Sequence, residues 1–280
     1  MKLIINADDV GLHPAVARAV EILAERGVVT SASIVATGMD VESAVLLEGV
    51  SLGVHLDILR GRPLSHWQEV NTLVDENGAF FVNPVILFEK YAKGKFDHEQ
   101  VEREWSAQIE RVIDLGVKPT HLTSHKHIHG WPSLTRMVAG LANRYGIGWV
   151  RKPEECSEIS LLDKSGIQAR FQNVCGFFDR EVDEVNWTDG FWSAIDKNTE
   201  LTIDAFNEYL DGYEEAEEGS IVELCCKPGV TVAGDPPIPL ECNPPEISSI
   251  WRKQFQSLAE GDWLKTIDRS GMSLTGYDTI

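Results

Sequence analysis

Leu3-Ile4-Ile5-Asn6-Ala7-Asp8-Asp9-Val10-Gly11 starts as an apolar strand and ends on two adjacent carboxylates just before a glycine turn. A short apolar run bounded in this way reads as a strand buried within a sheet. Two like charges at one strand end destabilise each other unless a cation or a cationic side chain lies between them. Two further strand ends carry natural co-ligands for such a cation, Gly53-Val54-His55-Leu56-Asp57 and His121-Leu122-Thr123-Ser124-His125-Lys126-His127-Ile128-His129. The chain therefore reads as an enzyme organised around a metal site.

Outward from this stretch, strand and helix signals alternate. A strand over 2–7 precedes a helix over 14–26, with Pro14 in its first turn and Gly27 at its end. Then come a strand over 28–35, a short helix near 40–48 and a strand over 51–58. A long helix over about 98–115 follows, with Trp105, Ile109 and Ile113 at four-residue spacing and Gly116 closing it. Next are a strand at 119–124, a helix at 133–145, a strand at 147–151, a helix at roughly 200–212 and an apolar strand at 221–226. One or two helices lie in 247–268, and 272–277 is a candidate last strand. Such alternation predicts an α/β fold with a mostly parallel sheet and helical crossovers, either doubly wound or closed. Polar clusters at the C-terminal ends of at least four strands favour an irregular TIM-like (β/α) barrel, where active sites assemble at that end.

The 280 residues suit a single domain spanning 1–280, and 43% hydrophobic content allows a large core. A long active-site loop is expected at about 57–96, holding Trp67, Phe80 and Phe81 around the turn Asp75-Glu76-Asn77-Gly78. Its aromatic faces either stack against a sugar or pack the loop on itself. No stretch approaches the roughly 20 apolar residues of a membrane-spanning helix, and the chain enters a strand at once, without the pattern of an export signal. Five cysteines, Cys225 and Cys226 adjacent among them, form neither a disulfide framework nor a CxxC pair, which fits a reducing cytoplasm. A formal charge of −19 argues against nucleic acid and anionic membrane partners and for a small neutral or cationic substrate. The acidic run Glu214-Glu215-Ala216-Glu217-Glu218 reads as a solvated helix end or loop. A homodimer is the default assembly.

Asp9, His55 and His125 form a one-carboxylate, two-histidine set at strand ends, with coordination positions left open for water or substrate. The same set suits a non-haem iron oxygenase, so the ligands alone leave the reaction open. Asp8 is the remaining carboxylate, either a general base or a cap for the turn. Arg151 ends a strand and either holds that carboxylate ionised and oriented or is a plain surface arginine. Lys227, in Cys226-Lys227-Pro228-Gly229, could donate a proton or face solvent before the turn. On an extended backbone His125, His127 and His129 would point to one side, one as ligand and the others either as hydrogen-bond donors supporting the ligands or as substrate contacts. His13 and Trp67 complete the candidate substrate-binding residues, and His121 reads as a satisfied internal histidine.

Taken together, Ile5-Asn6-Ala7-Asp8-Asp9-Val10-Gly11-Leu12, Gly27-Val28-Val29-Thr30-Ser31, Gly53-Val54-His55-Leu56-Asp57, Leu73-Val74-Asp75-Glu76-Asn77-Gly78 and Lys118-Pro119-Thr120-His121-Leu122 leading into Ser124-His125 resemble the YdjC-like carbohydrate deacetylases, which include chitooligosaccharide deacetylases. The resemblance implies a TIM-like barrel with one divalent ion on Asp9, His55 and His125, magnesium or zinc first, manganese or cobalt as alternatives. It also implies Asp8 at the catalytic acidic position and hydrolysis of the N-acetyl group of a small amino sugar or oligosaccharide, releasing acetate. Three positions depart from the family pattern. Thr123 stands where an aspartate is common, Lys126 where a histidine is common, and Lys227-Pro228-Gly229 replaces the usual His-Pro-Gly. Lysine holds its proton more tightly than histidine, so the alternative is a catalytically impaired carbohydrate-binding or regulatory relative that keeps the metal pocket.

Overall fold

A computed structural model describes residues 1–131, 133–152, 185–194, 200–211 and 219–280. The acidic run at 214–218 lies outside the described residues. Among the described residues nine strands form one sheet: β1 (Lys2–Val10), β2 (Ser31–Ile34), β3 (Ser51–Leu56), β4 (His121–Ser124), β5 (Trp149–Val150), β6 (Asn186–Trp187), β7 (Gly190–Ser193), β8 (Ile221–Cys226) and β9 (Ser273–Leu274). The pairing order is β6-β5-β4-β3-β2-β1-β8-β7, with β9 on β1, and every pairing between strands is parallel.

β6 and β7 stand at opposite ends of that order, yet only Thr188 and Asp189 separate them in the chain. Three peptide units reach at most about 11 Å, so the two edges meet and the sheet curls into an irregular, TIM-like barrel. Neither β6 nor β7 is evident in the sequence pattern, because one is two residues long and the other, Gly190-Phe191-Trp192-Ser193, starts on a glycine.

The registers explain how the barrel fills. Asn6 lies opposite Ser31 and Cys225, Ser33 opposite Gly53, and His55 opposite Thr123. Side chains alternate along a strand, so the polar positions of neighbouring strands share the inner face. Leu3, Ile5, Ala32, Ile34, Val54, Leu122, Val222 and Leu224 share the outer one, where they are fully buried. Helices supply the cover, α1 (Pro14–Glu25), α2 (Val41–Ala44), α3 (Pro84–Ala92), α4 (His98–Asp114), α5 (Leu134–Tyr145), α6 (Ile203–Asp211), α7 (Pro244–Glu260) and α8 (Trp263–Arg269). None of the described helices is long and apolar enough to cross a membrane.

Two sequence expectations change here. On α4 the buried apolar stripe runs Val101, Trp105, Ile109, Val112, while Ile113 is 36% exposed. Strict four-residue steps drift off a 3.6-residue face, and the last contact falls to the residue three positions on. The segment 57–96 is also not one loop. It contains a 3₁₀ turn at Trp67–Val70, a bridge between Val74 and Phe80, and α3, whose first turn is capped by Asn83. The turn at Asp75 forms as read, with its carboxylate accepting from the amides of Asn77 and Ala79 at 2.9 and 3.0 Å.

Candidate active site

β1 should turn Asp8 and Asp9 to opposite faces, but its register with β2 slips between Ala7 and Val10, and Asp9 adopts φ +65°. That left-handed conformation is rare for a non-glycine residue and collects at functional sites. Here it breaks the alternation, so both carboxylates line one cavity of about 230 Å³, together with Arg60, His125, His127 and Lys227. His55, from β3, lies fully buried between the two acids, its Nδ1 3.7 Å from Asp8 Oδ1 and its Nε2 3.5 Å from Asp9 Oδ1.

The carboxylate of Asp9 and the ring nitrogens of His55 and His125 offer ligand atoms that all lie within 4.8 Å of one another. Thr123 Oγ1 is 2.7 Å from His55 Nδ1. As acceptor from Nδ1–H, the hydroxyl at this position fixes the tautomer that leaves Nε2 available, as the partner of a metal-binding histidine must. His55 Nε2 and His125 Nδ1 are buried and have no hydrogen-bond partner. Buried polar atoms are normally satisfied, so two orphaned imidazole nitrogens facing one carboxylate fit a divalent cation. Burial pushes His55 down to about 3 despite Asp8 and Asp9, and lowers His125 well below the ordinary range, keeping both in the neutral, ligating form.

Asp8 is held on every side. Arg151 donates from Nη1 to Oδ2 at 2.9 Å and from Nη2 to Oδ1 at 2.7 Å. Ser33 Oγ and Asn6 Nδ2 also donate to Oδ1, at 2.9 and 3.0 Å, and the Cys225 thiol to Oδ2 at 3.2 Å. Burial would raise its pKa, but the Arg151 guanidinium, with Lys227 behind it, holds the carboxyl well below the usual carboxylate range. Arg151 is itself buried, lies 5.1 Å from the Phe191 ring centroid and is paired on its other edge with Glu223, Nη2 to Oε1 at 2.5 Å. Glu223 in turn accepts from Tyr277 Oη at 2.6 Å, and the Tyr277 ring stacks on His121 at 4.1 Å between centroids. Only Ser273–Leu274 of the candidate last strand pairs with β1, and the tail beyond it places Tyr277 inside the barrel.

Asp9 carries two cations, Arg60 Nη2 on Oδ1 at 2.7 Å and Lys227 Nζ on Oδ2 at 2.6 Å. Against the opposing effect of burial, these two cations keep it well below the usual range. Arg60 is fixed by Asp57, whose Oδ2 accepts from Nε at 2.6 Å.

Several sequence candidates lie elsewhere. His13 is buried and caps α1, its Nδ1 accepting from Ala15 N at 3.1 Å, while Nε2 donates to Pro236 O at 2.8 Å. Trp67 is 45% exposed and stacks on His66 outside the cavity lining. The three histidines after β4 do not follow an extended backbone. They lie on a 3₁₀ turn in which Lys126 and His127 take φ +54° and +51°. His125 therefore joins Asp9 and His55 in the candidate metal set and His127 packs edge-on to Phe191, whereas His129 turns into the core to meet Ser124 Oγ and Arg151 O. Arg60 and Glu223 went unread in the sequence. The signals were there, an acid and a base three residues apart after a strand, and a carboxylate inside the apolar run Ile221–Cys226.

Comparison with known proteins gives the family and the fold. A family model described as YdjC-like protein matches residues 2–269. A carbohydrate deacetylase of Halalkalibacterium halodurans is 34% identical over 151 residues, which cover 52% of this chain and 62% of that protein. Another carbohydrate deacetylase, from Brevibacillus brevis, is 34% identical over 181 residues, 61% of this chain and 69% of that protein. The first of these matches thus spans less than two thirds of the relative's length. Over 99% of this chain and 97% of the other, the fold superposes with TM-score 0.75 and 25% identity on a crystal structure from Enterococcus faecalis, a candidate cellobiose-phosphate cleavage protein.

Proposed function

The chain belongs to the YdjC-like protein family, and from that premise we propose that it is a metal-dependent carbohydrate deacetylase that hydrolyses the N-acetyl group of a small amino sugar to acetate and a free amine. One observation carries the reading, the convergence of Asp9, His55 and His125 beside a separately tethered Asp8 under a single cavity. A divalent ion held by those three side chains supplies Lewis-acid polarisation of an amide carbonyl and raises the acidity of water in the site.

The protein's own groups provide the rest. Arg151 fixes both oxygens of Asp8 and so aims the carboxylate at one position in the cavity. Asp8 takes a proton from the attacking water as its oxygen bonds to the acetamide carbon. Its lowered pKa keeps Asp8 ionised, the form a base needs to accept that proton. Lys227 Nζ, kept protonated against burial by Asp9 and Asp8, gives a proton to the departing nitrogen as the C–N bond breaks. A cavity of about 230 Å³ with His127 in its wall accepts the acetamido end of one sugar unit. The net charge of −19 favours release of an anionic product.

The test is acetate release from a panel of N-acetylated mono- and oligosaccharides by protein loaded in turn with magnesium, zinc, manganese or cobalt. Release with at least one metal, lost in Asp8→Asn by about 100-fold or more while that variant still binds metal, is the expected result. Micromolar sugar binding with no release under any metal would select the binding or regulatory relative instead.

A further inference from the structure

We propose that Lys227 is a resident cation of the metal site, one that a divalent ion must displace from Asp9. The inference rests on reading Asp9, His55 and His125 as the metal set, and it concerns what this chain has built against that set. Asp9 is its one carboxylate, and both its oxygens are taken, Oδ1 by Arg60 and Oδ2 by Lys227. The imidazoles bring no negative charge. An incoming ion therefore meets a ligand set whose whole charge is already matched by two cations within hydrogen-bond distance.

The two cations are not equally free to leave. Arg60 is 6% exposed, and its fork spans Asp57 and Asp9 at 2.6 and 2.7 Å. The main chain that carries it is pinned, with the Leu59 and Arg60 amides donating to Asp57 Oδ1 at 2.8 and 3.2 Å. Lys227 has a flexible four-carbon stem and a point charge, its side chain is 14% exposed, and it lines the open cavity. The same cavity carries Glu241 and Glu246, so an ammonium that leaves Asp9 stays among carboxylates. Lys227 is the one that moves.

Two consequences follow. Without metal the adjacent acids are already balanced, by Arg151 on Asp8 and by Arg60 and Lys227 on Asp9. With metal, the ammonium is freed into the cavity where the departing amine forms, which ties availability of the proposed proton donor to occupancy of the site.

Calorimetric titration of Mn²⁺ and of Zn²⁺ into the full chain tests this without any substrate. Lys227→Met keeps the stem and removes the charge, and Lys227→Gln serves where the methionine variant fails to fold by circular dichroism. The expected result is that both metals bind the variant about tenfold or more tightly than the wild type, whereas Lys265→Met, which removes an exposed surface charge, changes nothing. Turnover, where measured, should fall in the same variant that gains metal. Equal or weaker metal binding by Lys227→Met and Lys227→Gln, with the wild type binding normally, overturns the inference and leaves the proposed function standing. No metal binding by any of the proteins overturns both.

Discussion

Arg151 is one guanidinium shared by two buried carboxylates, Asp8 on one edge and Glu223 on the other, and its value lies in the charges it leaves behind when removed. Breaking a buried pair costs about 3–5 kcal/mol because an uncompensated charge remains in a low-dielectric interior. Arg151→Met should therefore lower the urea-derived stability by about that amount. Adding Glu223→Leu should recover part of it, because one of the two stranded carboxylates is gone. A loss below about 1 kcal/mol for the single variant would show that the network does not depend on this cation. The position of Arg151 was legible from its place at a strand end. Its second partner was not, because a single glutamate in an apolar strand does not say which cation, arriving from 72 residues away, will meet it. The acid pair was legible in the same partial way. Two adjacent carboxylates announce a cation, but only the left-handed Asp9 lets neighbouring residues on a strand face the same space.

α4 shows how an element far from the chemistry holds it in place. On its inward face Glu104 and Gln108 are fully buried. Glu104 accepts from the amides of Leu64 and Ser65 at 3.0 and 2.9 Å, and Gln108 both accepts from Asp57 N at 2.9 Å and donates to Asp57 O at 2.6 Å. The turn after β3 is thus fastened to the helix, and Arg60 reaches Asp9 from that turn. Gln108→Leu preserves bulk but strands two main-chain groups of Asp57, at a cost of about 1–3 kcal/mol. Because Arg60 is loosened with it, metal affinity measured by calorimetry should change as well, by more than in an exposed-face variant such as Glu110→Ala. An unchanged affinity would mean that Arg60 keeps its place unaided. The helix itself was readable from Trp105 and Ile109. Its polar stripe was not, since Glu and Gln on a helix read as solvent-facing until the turn they bind is in place. α3 escaped notice for the converse reason. Val85 and Ile86 are exposed at 59% and 45%, so its apolar residues draw no clean face, and only Asn83-Pro84 marks its start.

For the molecule as a whole, barrel filling decides the response to acid. The inner face is polar, and its histidines are kept neutral. Burial lowers His129 to about 3 and His121 well below the ordinary range. His129 has its two ring nitrogens committed, Nε2–H to the carbonyl of Arg151 at 2.8 Å and Nδ1 to Ser124 Oγ at 2.5 Å. In the unfolded chain both imidazoles titrate near 6.5. Below that pH the unfolded state binds protons that the folded state refuses, so stability falls as pH drops, by about 1.4 kcal/mol per unit for each such group until the folded form titrates in its turn. Asp8 and Asp9, lowered in the folded state, add their own loss only once the pH falls through the ordinary carboxylate range, near 4. The net charge of −19 acts the other way, because protonating surface acids relieves repulsion, but those acids also titrate mostly below pH 5. Between pH 7 and 5 the imidazole term should therefore win, with roughly 2 kcal/mol lost per buried histidine by pH 5. Urea midpoints at pH 7, 6 and 5 give the slope. His129→Gln should flatten it by about one proton, and a midpoint that holds or rises over this range would show that the barrel interior accepts charged imidazole.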